Sequence, residues 1–254
     1  MATSMEELLH KTLQQKAPLT RRDALALPAD KLLMPPAYRY ERKFVQSGWS
    51  TARLDMLVRL NPACFRPIYQ GRWINNIYFD TPDRAFYRAA MAGEKNRTKI
   101  RIRWYGASVL PLRNPVLEFK VKAGVVGYKR QYQLPDFDAQ NMNSRSDWQL
   151  LWEAADLSPV VAEQLKGIEP ALMNRYYRTY QLSADRRFRI TIDSELGYGR
   201  LGSVDMPLRE RGKTIIELKY SVDAAPDAAA ITSAFPFRLR RSSKYATGLA
   251  MIGG

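Results

Sequence analysis

The chain has 254 residues, 46% of them hydrophobic and 26% charged, enough for one large domain or two small ones and unlike a wholly disordered chain. Forty Lys and Arg against 25 Asp and Glu leave a formal charge of +15, a surplus that draws an anionic partner. One Cys (Cys64) excludes a disulfide framework or a multi-cysteine metal site, and one His (His10) argues against Ser-His-Asp chemistry, His-rich zinc sites and phosphohistidine relays. No run of ~18 apolar residues spans a bilayer. The opening MATSMEELLHK carries acids where a secretory signal carries bases, so a cytoplasmic protein is expected.

Residues 1–37 read as a leader, with a short amphipathic helix over 6–15 and four prolines over 17–37. It is either loosely ordered or a helix that docks over the domain. From residue 38 onward period-two alternation dominates, predicting strands over 38–46, 73–80, 98–105, 116–122, 128–134, 175–182, 187–193 and 213–220, with a short one near 196–201. Short connections favour antiparallel pairing. Thr81-Pro82-Asp83 reads as a helix start and Gly93 as its stop; further helices are predicted over 146–155, 159–166 and 242–252. Trp148, Leu151 and Trp152, at helical spacing, read as core. The expectation is one α+β domain over 38–254.

The most informative stretch is KNRTKIRIRW, in which every odd position from 95 to 103 is Lys or Arg while Ile100, Ile102 and Trp104 take the other face. On a strand, Lys99, Arg101 and Arg103 form one row about 6.6 Å apart. Unit charges at that spacing repel by ~2–3 kcal/mol at an effective dielectric of 20, so the row calls for an anion or for acidic neighbours. The pattern recurs. Glu118, Lys120 and Lys122 share a face opposite Leu117, Phe119 and Val121; Lys129, Gln131 and Gln133 oppose Tyr128, Tyr132 and Leu134. Arg187, Arg189, Thr191 and Asp193 oppose Phe188, Ile190 and Ile192; Glu217 and Lys219 oppose Ile216, Leu218 and Tyr220. A sheet curled into a closed barrel, apolar faces outward against helices, would line its interior with these charges. A barrel of about eight strands has room for side chains or one small ligand. Buried charges are costly unless paired or filled by a polar ligand, which suits a phosphate chain. The acids Glu41, Glu118, Asp193 and Glu217 share faces with cations and either neutralise them or help hold a divalent ion.

Several segments, in order, resemble the catalytic domain of the vacuolar transporter chaperone (VTC) family: YERKF at 40–44, NIYFD at 76–80, IRIRWYG at 100–106, LEFK at 117–120, YRTY at 177–180, RITID at 189–193, IELK at 216–219 and SSKY at 242–245. Each is weak alone; eight in order are specific. The resemblance implies a triphosphate tunnel metalloenzyme: a closed antiparallel β-barrel of about eight strands with flanking helices and a charged tunnel. It implies synthesis of polyphosphate from ATP with a divalent metal, Mn²⁺ or Mg²⁺. Carried over by motif, the phosphate-binding cations are Lys43, Arg101, Arg103, Lys120, Lys129, Arg178, Arg189 and Lys244, and Glu217 is the metal-binding carboxylate, with Glu41, Glu118 and Asp193 as further tunnel acids. Arg178 alternates with Tyr176, Tyr180 and Leu182 on what reads as an apolar face. The hydrolytic branch typically opens with an ExExK strand; here those positions are Arg39, Glu41 and Lys43, and the missing first acid favours the polymerase branch.

Three rivals stand beside this reading: a metal-dependent triphosphatase, a non-catalytic module that binds polyphosphate or inositol phosphates, and a nucleic-acid binder. The last is not expected, because the bases alternate on strands along with acids rather than forming a patch with stacking aromatics. Coupling of synthesis to transport would need a separate membrane partner.

Overall fold

The structure, a computed structural model, describes residues 39–123, 126–155, 157–203 and 206–253. The leader expected over 1–37 lies outside these residues. Nine strands form one antiparallel sheet: β1 (Arg39–Ser47), β2 (Arg66–Asp80), β3 (Arg97–Tyr105), β4 (Val116–Ala123), β5 (Val126–Gln133), β6 (Glu169–Leu182), β7 (Phe188–Gly199), β8 (Leu208–Arg209) and β9 (Lys213–Ser221). Their order is β1-β9-β7-β6-β2-β3-β4-β5, with β8 beside β7. Among the described residues six α-helices flank it: α1 (Thr51–Arg59), α2 (Ala85–Ala92), α3 (Arg145–Glu153), α4 (Pro159–Leu165), α5 (Ala228–Ser233) and α6 (Lys244–Met251).

Every predicted strand is present, but three run longer than their alternation. The first half of β2 is largely exposed, and the first half of β6 is buried on both faces, so neither alternates there. The segments 187–193 and 196–201 are one strand: Glu195, at φ 52°, lies in a register shift between the pairs Arg175–Gly197 and Tyr177–Ser194, which interrupts the ladder without ending β7. The expected start of α2 moves to Ala85. Thr81 Oγ accepts from the Ala85 N–H, and the Asp80 carboxylate accepts from the N–H groups of Phe86 and Tyr87, so the capping acid is the strand residue Asp80. Gly93, at φ 71°, ends the helix as expected.

Two apolar cores lie on the outer face. One packs Ile77, Phe79, Ile102, Trp104 and Leu117 under α3 and α4, with Trp148 edge-on to Phe79 at 5.0 Å. The other packs Phe44, Ile190, Ile216 and Leu218 under α1 and α5. Each fully buried side chain of this size contributes about 1.5–3 kcal/mol, which sets the inward and outward sides of every strand. A third core, around Tyr176, Leu172, Tyr198, Tyr245 and Leu249, seats α6 against β6 and β7.

The sheet curls until its two ends face one another: Lys120 on β4 lies 3.5 Å from Glu41 on β1. Among the described residues no ladder joins β1 to β5, so the sheet there is an open roll rather than the expected closed barrel. The outer edge of β1 is taken by the chain leading to α6. Phe44 and Leu239 form an antiparallel bridge, and the Arg240 N–H donates to the Lys43 carbonyl at 2.9 Å. Arg238, Arg240 and Arg241 on this stretch face solvent.

Candidate polyanion groove

The register of the sheet turns the alternating cations into one connected inner surface. On β3 and β4, Arg101 stands opposite Glu118, and Lys99 opposite Lys120; on β4 and β5, Glu118 stands opposite Gln131, and Lys120 opposite Lys129. Arg101 donates to Glu118 through Nε at 2.8 Å and meets it again through Nη2 at 2.7 Å, and Nη1 donates to the Tyr78 hydroxyl at 3.0 Å. Glu118, only 1% exposed, also holds Lys129 at 2.5 Å and accepts from Gln131 at 3.0 Å. Arg103 donates to Asn76 Oδ1 at 3.0 Å and to the Tyr176 hydroxyl at 3.2 Å. Burying a carboxylate raises its pKa, but Arg101, Arg103 and Lys129 outweigh that and hold Glu118 at about 2.

A second knot joins β1, β9, β6 and β7. Lys43 bridges Glu41 at 2.9 Å and Glu217 at 3.1 Å. Glu217 also meets Lys219 at 3.2 Å and approaches Arg178 at 3.9 Å. Arg178, directly across from Asp193, bonds both its oxygens at 2.5 and 2.6 Å, and Lys244, the first residue of α6, reaches the same carboxylate at 2.5 Å. Burial and Glu217 act to raise the pKa of Glu41, yet Lys43, Lys120 and Lys219 hold it at about 2. Glu217 is likewise kept well below the ordinary carboxylate range, against its burial, by Lys43, Lys219, Arg178 and Lys244. For Lys43 burial works against the charge, and Glu217 and Glu41 more than restore it. Within these two knots each buried charge thus has a partner, as the cost of burial requires.

Of the cations carried over by motif, Lys43, Arg101, Arg103, Lys120, Lys129, Arg178 and Lys244 belong to these two knots, together with Glu41, Glu118, Asp193 and Glu217. Arg189 shares the face of Thr191 and Asp193 and stands opposite Lys219 in the ladder. The facing of Arg178 corrects the sequence reading. Its strand face is tyrosine-rich but inward: Tyr176 turns its hydroxyl to Arg103 and its ring to the Lys244 ammonium at 4.5 Å. Arg187, expected on the charged face, precedes β7 and bonds Asp227 at 2.7 Å instead. Lys99 and Lys219 also stand in the groove. Both are visible in the alternation, Lys99 in the odd-numbered row and Lys219 two residues after Glu217. Trp148, Leu151 and Trp152 are buried core as expected, and Cys64 is an exposed thiol.

For a divalent ion the donor chemistry is two hard carboxylates, Glu41 and Glu217, close enough to share Lys43 and to repel each other. Among the described residues no group of three or more His, Cys, Asp or Glu converges as a metal cage. Two carboxylates suit Mg²⁺ or Mn²⁺ taken up together with phosphate oxygens, since such ions keep several non-protein ligands. The residues fit an ion that arrives with its anion.

A rolled antiparallel sheet whose inner face is a network of cations buttressed by acids defines the triphosphate-tunnel class of fold. Within it, the chain belongs to the VTC domain family, whose model matches residues 37–252. Among solved structures, the fold is similar to that of the adenylyl cyclase-like protein HpAC1 from Hippeastrum, for which a dominant triphosphatase activity is described. Identity is 16%, coverage is 84% of this chain and 96% of that one, and the TM-score is 0.51. An adenylate cyclase-like protein of Vibrio parahaemolyticus matches at 12% identity, over 85% of this chain and 99% of that one, with a TM-score of 0.49. No curated protein matches the sequence. No helix among the described residues is long and apolar enough to cross a membrane.

Proposed function

We propose that the chain is a polyphosphate polymerase that transfers the γ-phosphoryl group of ATP to the end of a growing polyphosphate chain and releases ADP. The observation that carries the reading is the two-knot inner face, where seven cations of the family motifs line one groove beside Glu217. The terminal oxygen of the acceptor attacks the γ-phosphorus, the bond from that phosphorus to the β–γ bridging oxygen breaks, and ADP leaves with the electron pair. The acceptor oxygen is already an anion, so no general base is required, in keeping with a sequence whose single His is His10.

Arg101, Arg103 and Arg178 offer planar donor pairs that bind and orient phosphate oxygens, while Lys43, Lys120, Lys129 and Lys244 add point charges that neutralise the transferring group. Glu217 and Glu41 would hold the divalent ion, which supplies further charge neutralisation on those oxygens. The acids Glu118 and Asp193 hold the guanidinium groups of Arg101 and Arg178 in place along the groove. Arg39 in place of the first acid of ExExK supports transfer over hydrolysis.

Incubation with ATP and Mn²⁺, followed by gel separation of polymer and quantification of ADP and orthophosphate, tests the reading. Polymer growth matched by ADP supports it. Orthophosphate without polymer overturns it in favour of a triphosphatase, the reading favoured by the activity described for HpAC1.

A further inference from the structure

Lys99 differs from every other groove lysine described above. Its ammonium donates to the Ser243 hydroxyl at 2.9 Å, and no carboxylate among the described residues forms an ion pair with it. What faces it is positive: Lys43 from β1, Lys120 from β4 and Arg97 and Arg101 from its own strand. Asp80, at the end of β2, is engaged by Thr81, Phe86, Tyr87 and Tyr245. From α6 comes only Ser243, whose hydroxyl also accepts from the Ala246 N–H as the cap of that helix. Lys43 itself reaches into the same corner, donating to the Ser242 carbonyl at 3.4 Å.

A half-buried lysine packed among cations is unfavourable without an anion beside it, since like charges repel more strongly in the protein interior than in water. The other groove lysines are each answered by Glu41, Glu118, Asp193 or Glu217. At Lys99 no described carboxylate does so, although Lys43 of β1 and Lys120 of β4 close in around it. We propose that Lys99, with Lys43, Lys120 and the Ser243 hydroxyl, forms a lysine-lined subsite that binds a phosphate group in the chain-binding groove, Lys99 being the one of the three lysines that pairs with no carboxylate among the described residues. The subsite rests on the polyphosphate reading of the groove and adds to it a residue outside the family's motif set.

Burial and the charges of Lys43, Lys120 and Arg101 hold the Lys99 ammonium down at about 7. A phosphate oxygen in the subsite supplies the missing negative charge and restores the proton to Nζ. Binding of a phosphate chain near pH 7 therefore takes up a proton from solution. The same proton is not taken up if Lys99 contacts no ligand.

The test is calorimetric titration of inorganic tripolyphosphate into the full chain and into Lys99→Gln and Lys99→Arg, in two pH 7.5 buffers of different ionisation enthalpy. Expected is proton uptake by the wild-type protein, weakening of about tenfold with loss of uptake in Lys99→Gln, and binding without uptake in Lys99→Arg. Arginine stays charged throughout, so that variant separates the charge from its titration. Thermal melts of the ligand-free variants provide the structural control, because Lys99→Arg, charged throughout among cations, lowers the melting temperature whether or not residue 99 binds phosphate. Wild-type binding that Lys99→Gln reproduces in affinity and proton uptake overturns the subsite and leaves the groove reading intact. Absence of wild-type binding overturns both.

Discussion

Arg178 and Asp193 stand opposite one another across β6 and β7 and close a two-point ion pair, with Nε–Oδ1 at 2.5 Å and Nη2–Oδ2 at 2.6 Å. Asp193 is fully buried and also receives Lys244 from α6, so one carboxylate ties the floor of the groove to the C-terminal helix. It thereby anchors two cations that solvent barely reaches.

Asp193→Asn keeps the shape and removes the charge, leaving Arg178 and Lys244 buried without their counter-ion. Loss of one partner from a buried pair typically costs about 3–5 kcal/mol, and urea unfolding should register a loss of that size. An unchanged midpoint would show that water or Glu217 compensates and that the pair is incidental to stability.

Arg101→Ala should do the opposite: abolish polymer synthesis and leave the fold in place. Glu118 retains Lys129 and Gln131, so it is not stranded. Synthesis is expected to fall at least about a hundredfold, the scale of removing one charge-stabilising donor from a transition state, with circular dichroism unchanged. Collapse of the spectrum would make Arg101 a structural residue.

Acid titration of the ligand-free protein should expose the knots. Glu118 and Glu41 have folded values of about 2 against an ordinary 4.5, so the folded state binds fewer protons than the unfolded one between these limits. Their stabilisation is complete above about pH 4.5 and is lost as pH falls towards 2. Stability measured by denaturant at stepwise pH should decline across that window, and Glu118→Gln should flatten the decline. A slope identical in wild type and variant would contradict the assignment to Glu118.

Gly248→Ala tests whether α6 is seated by close contact. An alanine in an open helix position gains about 1 kcal/mol over glycine. Here the added Cβ would lie 2.5 Å from Leu172 Cδ2 and from Tyr198 Cδ1. Overpacking typically costs about 1–3 kcal/mol, so the net effect is expected to be destabilising. Displacing α6 also moves Lys244, one turn earlier, away from Asp193. Synthesis should fall by more than the stability loss explains, whereas a stabilised and fully active variant would show that the helix shifts freely.

The alternation of charged and apolar residues determined a great deal without coordinates. It located the strands and assigned Lys43, Arg101, Arg103, Lys120, Lys129, Glu118 and Glu217 to charged faces, because side chains on a strand alternate and the apolar half must be buried. The order of the short motifs was enough to suggest the family. What the sequence left open depended on contacts between residues far apart in it. The docking of Leu239 and Arg240 on the edge of β1 is one such contact, since no local pattern marks a single bridge between residues this far apart. The inward turn of Arg178 was decided by partners such as Asp193 and Lys244, because tyrosine rings look apolar in a pattern while their hydroxyls serve a polar interior. The isolation of Lys99 emerges only when β1, β4 and α6 are brought together, since the absence of a counter-charge is a property of the assembled groove and not of any one strand.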